Sequence, residues 1–240
     1  GGVTITDGTL QVTGANKLPS SGTVTVATSK TLDLNQSQSV ASLAGAGTVD
    51  IASGMTLSLT DTGTIGILAG TGTVDVANTK TLSLTDTGTI GLLAGTGTVS
   101  VASGETLTLS GTGTVPTAIG GAGNLAISGT VAQTGTVSNS GTRTIASGGT
   151  WKLGPAAMTY AVANAGTLEF NSAGTIGNGA VTGAGLISIN ASGNTVVVDG
   201  SSSLGSTGGV TITDGTLQVT GANKLPSSGT VTVATSKTLD

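Results

Sequence analysis

The acidic residues of this chain are its side chains best suited to chemistry, because the 240 residues include no Cys and no His. Thiol nucleophiles, imidazole bases, disulfides and Cys/His zinc sites are therefore excluded. Some acids recur at a spacing of 25 residues, and others are isolated. The recurring pairs are Asp50 with Asp75 and Asp61 with Asp86, and the isolated acids are Glu105, Glu169 and Asp199.

These acids are poor candidates for catalysis or metal binding. Glycan cleavage needs two or three acids that converge on one groove. If one coil spans 25 residues, Asp50 instead stacks on Asp75 at about 4.8 Å, where like charges repel. A Ca²⁺ ion needs six or more oxygens, and the glycine–aspartate nonapeptide of calcium-binding β-rolls is absent. We interpret the acids as solvated turn carboxylates, with Lys80 stacked over Glu105, and predict no enzyme, no catalytic residue, no cofactor and no metal ligand.

The composition restricts the class of protein further. The chain has 42 Gly, 36% apolar residues, 8% charged residues and a net charge of −4. This departs from ordinary globular usage, yet regularly spaced Val, Leu and Ile argue against disorder. No apolar run reaches the roughly 20 residues of a membrane span, and no basic patch favours nucleic acid. We therefore expect an ordered, β-rich protein with no nucleic-acid partner and no membrane span in this sequence.

A 25-residue repeat organises the first half of the chain. It is visible as GTVTVATSKTLDL at 22–34, GTVDIASGMTLSL at 47–59, GTVDVANTKTLSL at 72–84 and GTVSVASGETLTL at 97–109. Each block holds three runs of alternating apolar and small polar residues, separated by turn residues. In one block these runs are Thr48 to Ile51, Thr56 to Leu59 and Thr64 to Ile67. Three such strands cannot bury a core alone, so the coils must stack.

This stacking predicts an all-β fold, a right-handed single-stranded parallel β-helix with three short strands per coil of about 25 residues. Equivalent residues of successive repeats would form inward columns, while the polar residues between them face water. The predicted columns are Val24, Val49, Val74 and Val99; Val26, Ile51, Val76 and Val101; Leu32, Leu57, Leu82 and Leu107; Leu34, Leu59, Leu84 and Leu109; Val40, Ile65, Ile90 and Val115; and Leu43, Leu68 and Leu93.

The second half repeats less regularly and contains all three aromatic residues. Trp151, Tyr160 and Phe170 lie there, together with Pro155 and Met158. They form either an exposed contact patch for carbohydrate or a neighbouring fibre, or part of the core. The inward alternation of Trp151 and Phe170 favours the core.

Two surface features interrupt or decorate the predicted coils. The insertion ANKLPSS at 15–21 is expected to be a protruding loop. Threonine pairs recur on consecutive repeats and would form a two-column ladder suited to ice or another crystal lattice, although Thr is also the ordinary solvent-side residue of a strand. The pairs are Thr62/Thr64, Thr87/Thr89 and Thr112/Thr114.

A longer repeat is also present, because residues 208–240 match residues 1–33 letter for letter. We predict that residues 1–207 form one full long repeat of a continuous β-helix and that 208–240 begin the next. The sequence is therefore expected to be a window of a longer tandem array. A piece of this kind would expose an open strand edge at each end and associate end to end unless capped.

Residues 1–49 closely resemble the autotransporter-associated β-strand repeat of bacterial surface proteins. The resemblance rests on GTLQV at 8–12, GANKLPSS at 14–21, TVTVA at 23–27, TLDLN at 31–35 and SLAGAGTV at 42–49. It implies export by Gram-negative bacteria, often through a C-terminal outer-membrane barrel that would lie outside this window. It also implies a β-helical stalk of an adhesin or other surface fibre.

Together these observations predict a structural segment of a secreted bacterial surface fibre or giant adhesin stalk. Its partners would be neighbouring copies of the repeat in the same chain, and other fibres laterally. One alternative is an adhesin surface that binds carbohydrate, or ice through threonine ladders. A carbohydrate-active β-helix enzyme is less favoured, because it would need a cleft of acids or basic residues.

Overall fold

The computed structural model describes residues 1–153, 158–177, 179–199 and 202–240, and its secondary structure over these ranges consists of β-strands without a helix. The chain divides into two compact units. Unit 1 comprises Gly1–Leu125 and Thr134–Gly141, and unit 2 comprises Ala126–Gln133 and Thr142–Asp240. Pro155 lies outside the described residues.

The strands of unit 1 are three or four residues long. They are β1 (Val3–Ile5), β2 (Thr9–Val12), β3 (Thr23–Val26), β4 (Thr31–Leu34), β5 (Gln38–Val40), β6 (Ser42–Ala44), β7 (Thr48–Ile51), β8 (Thr56–Leu59), β9 (Gly63–Ile65), β10 (Ile67–Gly70), β11 (Thr73–Val76), β12 (Thr81–Leu84), β13 (Gly88–Ile90), β14 (Leu92–Ala94), β15 (Thr98–Val101), β16 (Thr106–Leu109), β17 (Thr112–Val115) and β18 (Ala118–Gly121).

The strands from the unit boundary onward vary more in length. They are β19 (Asn124–Ile127), β20 (Thr130–Gln133), β21 (Arg143–Ile145), β22 (Thr150–Leu153), β23 (Val162–Asn164), β24 (Thr167–Phe170), β25 (Gly174–Ile176), β26 (Ala180–Thr182), β27 (Leu186–Val198), β28 (Ser203–Leu204), β29 (Val210–Val219), β30 (Val231–Val233) and β31 (Thr238–Leu239). Within unit 2, β20, β22, β24, β27, β29 and β30 neighbour one another in that order, as do β21, β23, β26 and β28.

In unit 1 the strands stack into three parallel rows, which we call face 1, face 2 and face 3. Face 1 consists of β1, β3, β6, β9, β12, β15 and β18; face 2 of β2, β4, β7, β10, β13 and β16; and face 3 of β5, β8, β11, β14 and β17. Successive strands of the chain move from one face to the next, so three strands complete a coil. The predicted parallel β-solenoid is confirmed.

The coil length differs from the prediction. Val74 pairs with Leu57, 17 positions earlier, and with Leu93, 19 positions later. Val49 pairs with Leu32 and Leu68. A coil therefore spans roughly 19 residues, and the predicted column of Val24, Val49, Val74 and Val99 is wrong.

The difference arises because one 25-residue repeat contains four strands, whereas one coil contains three. The repeat that begins at Gly47 supplies β7, β8, β9 and β10, so it makes one and a third coils. Val49 lies on face 2, Val74 on face 3 and Val99 on face 1. The other five predicted columns are wrong for the same reason, and three repeats fill four coils.

The predicted inward residues are nevertheless the core. Val24, Val49, Val74 and Val99 are fully buried, and in most strands buried residues alternate with more exposed ones, as in the pattern of TVDI. Burying a Val or Leu side chain stabilises a fold by about 1.5–3 kcal/mol. The alternation thus identified the buried side of each strand even though the rows were assigned wrongly.

A four-residue turn recurs after the first strand of each 25-residue repeat. The amide of Lys80 donates to the carbonyl of Ala77 at 3.1 Å, and the amide of Glu105 donates to Ala102 at 3.2 Å. The third residue of this turn has a positive φ, which is 63° at Thr79 and 85° at Gly104. Glycine adopts this conformation freely, whereas a β-branched residue is strained there.

The loop at 15–21 is exposed at five of its seven residues, as expected of a protruding loop, but it is anchored at its centre. Leu18 is buried, and the side chain of Gln38 at the start of β5 holds the loop. The Gln38 Oε1 accepts from the amides of Lys17 and Leu18 at 2.8 and 3.1 Å, and its Nε2 donates to the Gly14 carbonyl at 2.7 Å. The loop therefore lies against the start of face 3.

The two identical 33-residue segments make the same strand pairs, although they lie in different units. Val3 pairs with Val24 in the first copy, and Val210 pairs with Val231 in the second. Two polar contacts are also reproduced. Lys30 pairs with Asp7 as Lys237 pairs with Asp214, and Gln11 donates to Asp33 as Gln218 donates to Asp240.

Candidate functional site

The predicted acid pairs do not stack on each other. Asp50 lies on face 2 beside Asp33, whereas Asp75 lies on face 3 beside Ser58. The Asp33 carboxylate accepts hydrogen bonds from Gln11 Nε2 at 2.9 Å and Asn35 Nδ2 at 3.1 Å. The Asp50/Asp75 stack was thus wrong, and the acids that do neighbour each other are Asp33 and Asp50.

Asp61 and Asp86 serve as turn residues, as predicted. Each carboxylate accepts a hydrogen bond from the next amide, Thr62 or Thr87, at 2.8 Å. Asp61 also pairs with Lys80 at 3.0 Å. The hydrogen bond from Lys80 and the amide of Thr62 lower the pKa of Asp61 below its usual value.

The predicted stacking of Lys80 over Glu105 is wrong, because Lys80 pairs with Asp61 one coil earlier. The Glu105 carboxylate instead accepts from the Thr87 hydroxyl at 2.8 Å. The same arrangement, a lysine reaching an acid on the adjacent coil, occurs four times among the described residues. The pairs are Lys30–Asp7, Lys80–Asp61, Lys152–Glu169 and Lys237–Asp214.

The other two isolated acids lie in unit 2 and make structural contacts. Glu169 pairs with Lys152 at 3.3 Å, and Asp199 accepts from the Thr220 hydroxyl at 2.7 Å. Within the part of the chain that the structure describes, no three acids come together in a group that could hold a metal ion. Asp33, Asp61, Glu169 and Asp199 thus contact side chains of neighbouring coils.

Two aromatic residues of unit 2, Trp151 and Tyr160, form a stacked pair. Trp151 is fully buried and stacks on Tyr160 with ring centroids 6.0 Å apart, and the Arg143 guanidinium lies 4.3 Å from the Tyr160 centroid. Burial raises the pKa of Tyr160 to about 12, against an opposing effect of the Arg143 charge. Phe170 and Met158 are also buried. The core interpretation of Trp151 and Phe170 is confirmed, and neither ring is available to a ligand.

The predicted threonine ladder does not exist, because its members lie on three faces. Thr64 belongs to β9 on face 1, Thr89 to β13 on face 2 and Thr114 to β17 on face 3. Thr64 pairs with Ser83 rather than with Thr89.

Face 1 carries a different hydroxyl array, which depends on the 19-residue coil. Its outward residues form two columns of small uncharged side chains. One column is Thr23, Ser42, Thr62, Thr81 and Thr98, and the other is Thr4, Thr25, Ala44, Thr64, Ser83 and Ser100. Faces 2 and 3 carry the acids Asp33, Asp50 and Asp75 at outward positions. We call these two columns the hydroxyl array.

Sequence reasoning missed the hydroxyl array because it compared residues 25 positions apart. The array becomes visible when sequence stretches one or two coils apart are aligned. These stretches are TVTV at 23–26, TGTI at 62–65, TLSL at 81–84 and TVSV at 98–101. Thr23 and Ser42 already contact each other through their hydroxyls at 2.9 Å. The array is therefore a regular, uncharged surface on one face of unit 1.

Comparisons with known proteins give no family assignment. No family model, no curated protein and no solved structure matches the chain. The described residues also contain no helix that is long and apolar enough to cross a membrane. The class that the fold defines is thus a parallel β-solenoid of tandem repeats.

Proposed function

We propose that this chain is a structural segment of a secreted bacterial surface fibre or giant adhesin stalk. The observation that carries the proposal is the 33-residue segment and its exact copy, which lie in different units and make the same strand pairs and the same Lys–Asp contact. A segment that makes the same strand pairs and the same polar contacts in two settings can be copied along the chain without redesign of its neighbours.

The mechanism would be mechanical. Each coil binds the next through main-chain hydrogen bonds and buried Val and Leu, so stability accumulates through nearest-neighbour contacts. Asp33, Asp61 and Glu169 make contacts between coils. Trp151 stacks on Tyr160. These structural contacts are what a scaffold needs. The resemblance of residues 1–49 to the autotransporter-associated repeat supports export to the bacterial surface, with an anchor or transporter supplied by other segments.

Electron microscopy of cells that produce the chain tests the role. Antibodies against the 33-residue segment, labelled with gold, should decorate thin filaments that extend from the outer surface. Label confined to the cell interior, or distributed over non-filamentous material, would contradict the proposal. Cells that lack the gene provide the control for label specificity.

The contribution of repeat number to length can be measured directly. Insertion of three extra 25-residue repeats into unit 1 adds four coils, which at a strand spacing of about 4.8 Å is about 19 Å. Small-angle scattering of variants with three and six extra repeats should show equal increments of this size in maximum dimension. An unchanged dimension would argue against a length-setting role.

The hydroxyl array favours a second candidate function, the binding of ice or another ordered hydroxylated lattice. It is regular and uncharged, unlike the outward residues of faces 2 and 3. Thermal hysteresis should then be lost in Thr64→Lys but retained in Thr89→Lys. These two residues are equivalent in the repeat and both exposed, yet they lie on different faces. Absence of thermal hysteresis in the unsubstituted chain would exclude ice.

A further inference from the structure

One row of the solenoid is interrupted inside the 33-residue segment. Between β2 and β3 the chain forms no strand, whereas between β4 and β6 it passes through β5 on face 3. Residues 13–22 therefore stand where a strand of face 3 would lie, and we call them the strap. The interruption is present in both copies of the segment, because β29 and β30 are likewise separated by residues without a strand.

The strap is held to the next coil by a side chain. Gln38 is 2% exposed and makes three hydrogen bonds to the strap. The main chain adds a bond from the amide of Asn16 to the carbonyl of Ser37 at 3.2 Å. Farther along face 3, by contrast, β5, β8, β11 and β14 pair in succession through three or four residues each. The strap thus replaces a strand ladder with contacts to one glutamine.

Faces 1 and 2 cross the same boundary without interruption. Strands β1 and β3 pair through three residues, and β2 and β4 pair through four. The second copy repeats both pairings, in β29 with β30 and in β29 with β31. A boundary that is continuous on two faces, and held by a side chain on the third, can open on the third face alone.

The shape of the strap is determined locally. The value of φ is 50° at Asn16 and 59° at its counterpart Asn223, although the two copies lie in different units. In both copies the lysine that follows this asparagine lies against the glycine near the start of the strap, Gly14 or Gly221. Release from Gln38 therefore does not require the strap to refold.

The second copy shows how the strap joins the coil before it. The amide of Leu204, in β28, donates to the carbonyl of Lys224 at 2.7 Å. Lys224 is the counterpart of Lys17 in the strap. The strap is thus bonded through its main chain to the preceding coil and through Gln38 to the following one, so the weaker attachment is the one at β5.

We propose that the strap and Gln38 form a releasable latch, and that the solenoid bends at this boundary by opening face 3 while faces 1 and 2 stay paired. Release breaks the hydrogen bonds of Gln38 and exposes Leu18, which is buried in the latched state. The long repeat carries the strap in each copy, so the bending point recurs with it. The proposal goes beyond the structural role proposed above, which a rod without a latch would fulfil equally well.

Hydrogen exchange of the full chain tests the latch. In Gln38→Ala the amides of Lys17 and Leu18 should exchange faster by about tenfold or more, because each loses its acceptor. Exchange over residues 3–12 should stay unchanged, since the ladders of faces 1 and 2 do not involve Gln38. In the unsubstituted chain, low denaturant should have little effect on exchange of the two strap amides, as expected of a local opening.

Gln11→Ala is the matched control for this experiment. Gln11 donates to Asp33 at 2.9 Å, so the substitution removes a side-chain hydrogen bond between the same two coils, but on face 2. It should leave exchange of the strap unchanged. If Gln38→Ala accelerates residues 3–12 as much as the strap, the whole coil opens and the proposal is wrong. Unchanged exchange of the strap in Gln38→Ala would overturn it equally.

Distances between spin labels test the bending itself, in a chain that has no cysteine of its own. Labels at Ser20→Cys in the strap and Ala94→Cys in β14 span four coil steps of face 3, about 19 Å. Labels at Thr4→Cys and Ser83→Cys span four steps of face 1, from β1 to β12. The face 3 distribution should be the broader one and should broaden further in Gln38→Ala, while the face 1 distribution stays narrow. Equal broadening on both faces, or no change on face 3, would contradict a hinge.

Discussion

An engineered disulfide between Ser58 and Asp75 tests the coil length, on which every assignment of a face depends. The two residues are register partners on face 3 and are 17 positions apart. Their side chains alternate with the buried residues of β8 and β11. The double variant Ser58→Cys/Asp75→Cys therefore places two thiols side by side, in a chain without other cysteines.

The geometry and the free energy both favour this bond. Adjacent strands lie about 4.8 Å apart, which falls within the range of about 4.4–6.8 Å between the Cα atoms of disulfide-bonded residues. Closing a loop of this size removes conformational freedom from the unfolded chain. The expected gain in the free energy of unfolding is about 3 kcal/mol, less any strain in the native bond.

The matched control is Asp50→Cys/Asp75→Cys, the pair that a 25-residue coil would bring together. In the structure these residues lie on faces 2 and 3, so they should remain reduced. Asp33→Cys/Asp50→Cys provides a second positive pair on face 2, because Asp33 and Asp50 are register partners.

The assay is quantification of free thiols after mild oxidation, with mass spectrometry to locate the bond. Denaturant unfolding of the oxidised and reduced forms then gives the change in stability. Efficient oxidation of the Asp50/Asp75 pair, together with free thiols in the Ser58/Asp75 pair, would refute the 19-residue coil and restore the 25-residue one.

Three further substitutions probe a turn, a loop and the aromatic cluster. Thr79→Gly should raise the free energy of unfolding by about 0.5–1 kcal/mol, because the substitution relieves the strain of a β-branched residue at positive φ. The reverse change at the equivalent position, Gly104→Thr, should lower the free energy of unfolding by a similar amount. Denaturant unfolding measures both changes. Gln38→Ala should lower the free energy of unfolding by about 2–3 kcal/mol, since two loop amides lose their acceptor. It should also speed tryptic cleavage at Lys17. Gln36→Ala, at an exposed site, is the control and should change neither quantity. Because the folded-state pKa of Tyr160 is about 12, above the ordinary value near 10, its contribution to stability is complete below pH 10 and is lost as the pH rises from about 10 to 12. Tyrosinate absorbance of this single tyrosine should follow that loss, and a titration midpoint near 10 in the folded chain would contradict the burial.

The fold class and the core could be predicted from the sequence because they depend on local alternation. Val, Leu and Ile at every second position define which side of each strand is buried, whatever the coil length. The number of strands per repeat could not be read in the same way. Thr64 to Ile67 was taken as one run, but Gly66 is a one-residue corner that separates β9 from β10.

The reason that Gly66 acts as a corner is visible only in three dimensions. A Cβ atom there would lie 2.4 Å from the carbonyl oxygen of Ala46, on the preceding coil. The equivalent Gly91 approaches the carbonyl of Thr71 in the same way, at 2.2 Å. A glycine between two apolar residues in successive repeats was the available signal for a fourth strand.

Surface features depend on the coil length, so they could not be predicted once that length was wrong. The contact of Lys80 with Asp61, the Asp33 and Asp50 neighbours and the hydroxyl array all join residues 17–21 positions apart. The loop at 15–21 is a separate case. The anchoring of its centre at Leu18 depends on the Gln38 side chain, and no local pattern predicts that contact.

The mismatch between repeat and coil has a physical consequence for a tandem array. In a solenoid whose repeat equals its coil, an acid at one repeat position stacks on its own copy at about 4.8 Å, and the like charges repel. Here the same position returns to the same face only after three repeats and four coils, which is about 19 Å and more than two Debye lengths at physiological salt. Asp50 and Asp75 are therefore separated onto faces 2 and 3, and copying the repeat does not build a continuous row of like charge. A one-third turn per repeat thus keeps the acid at one repeat position away from its own copies, while acids at different positions, such as Asp33 and Asp50, can become neighbours.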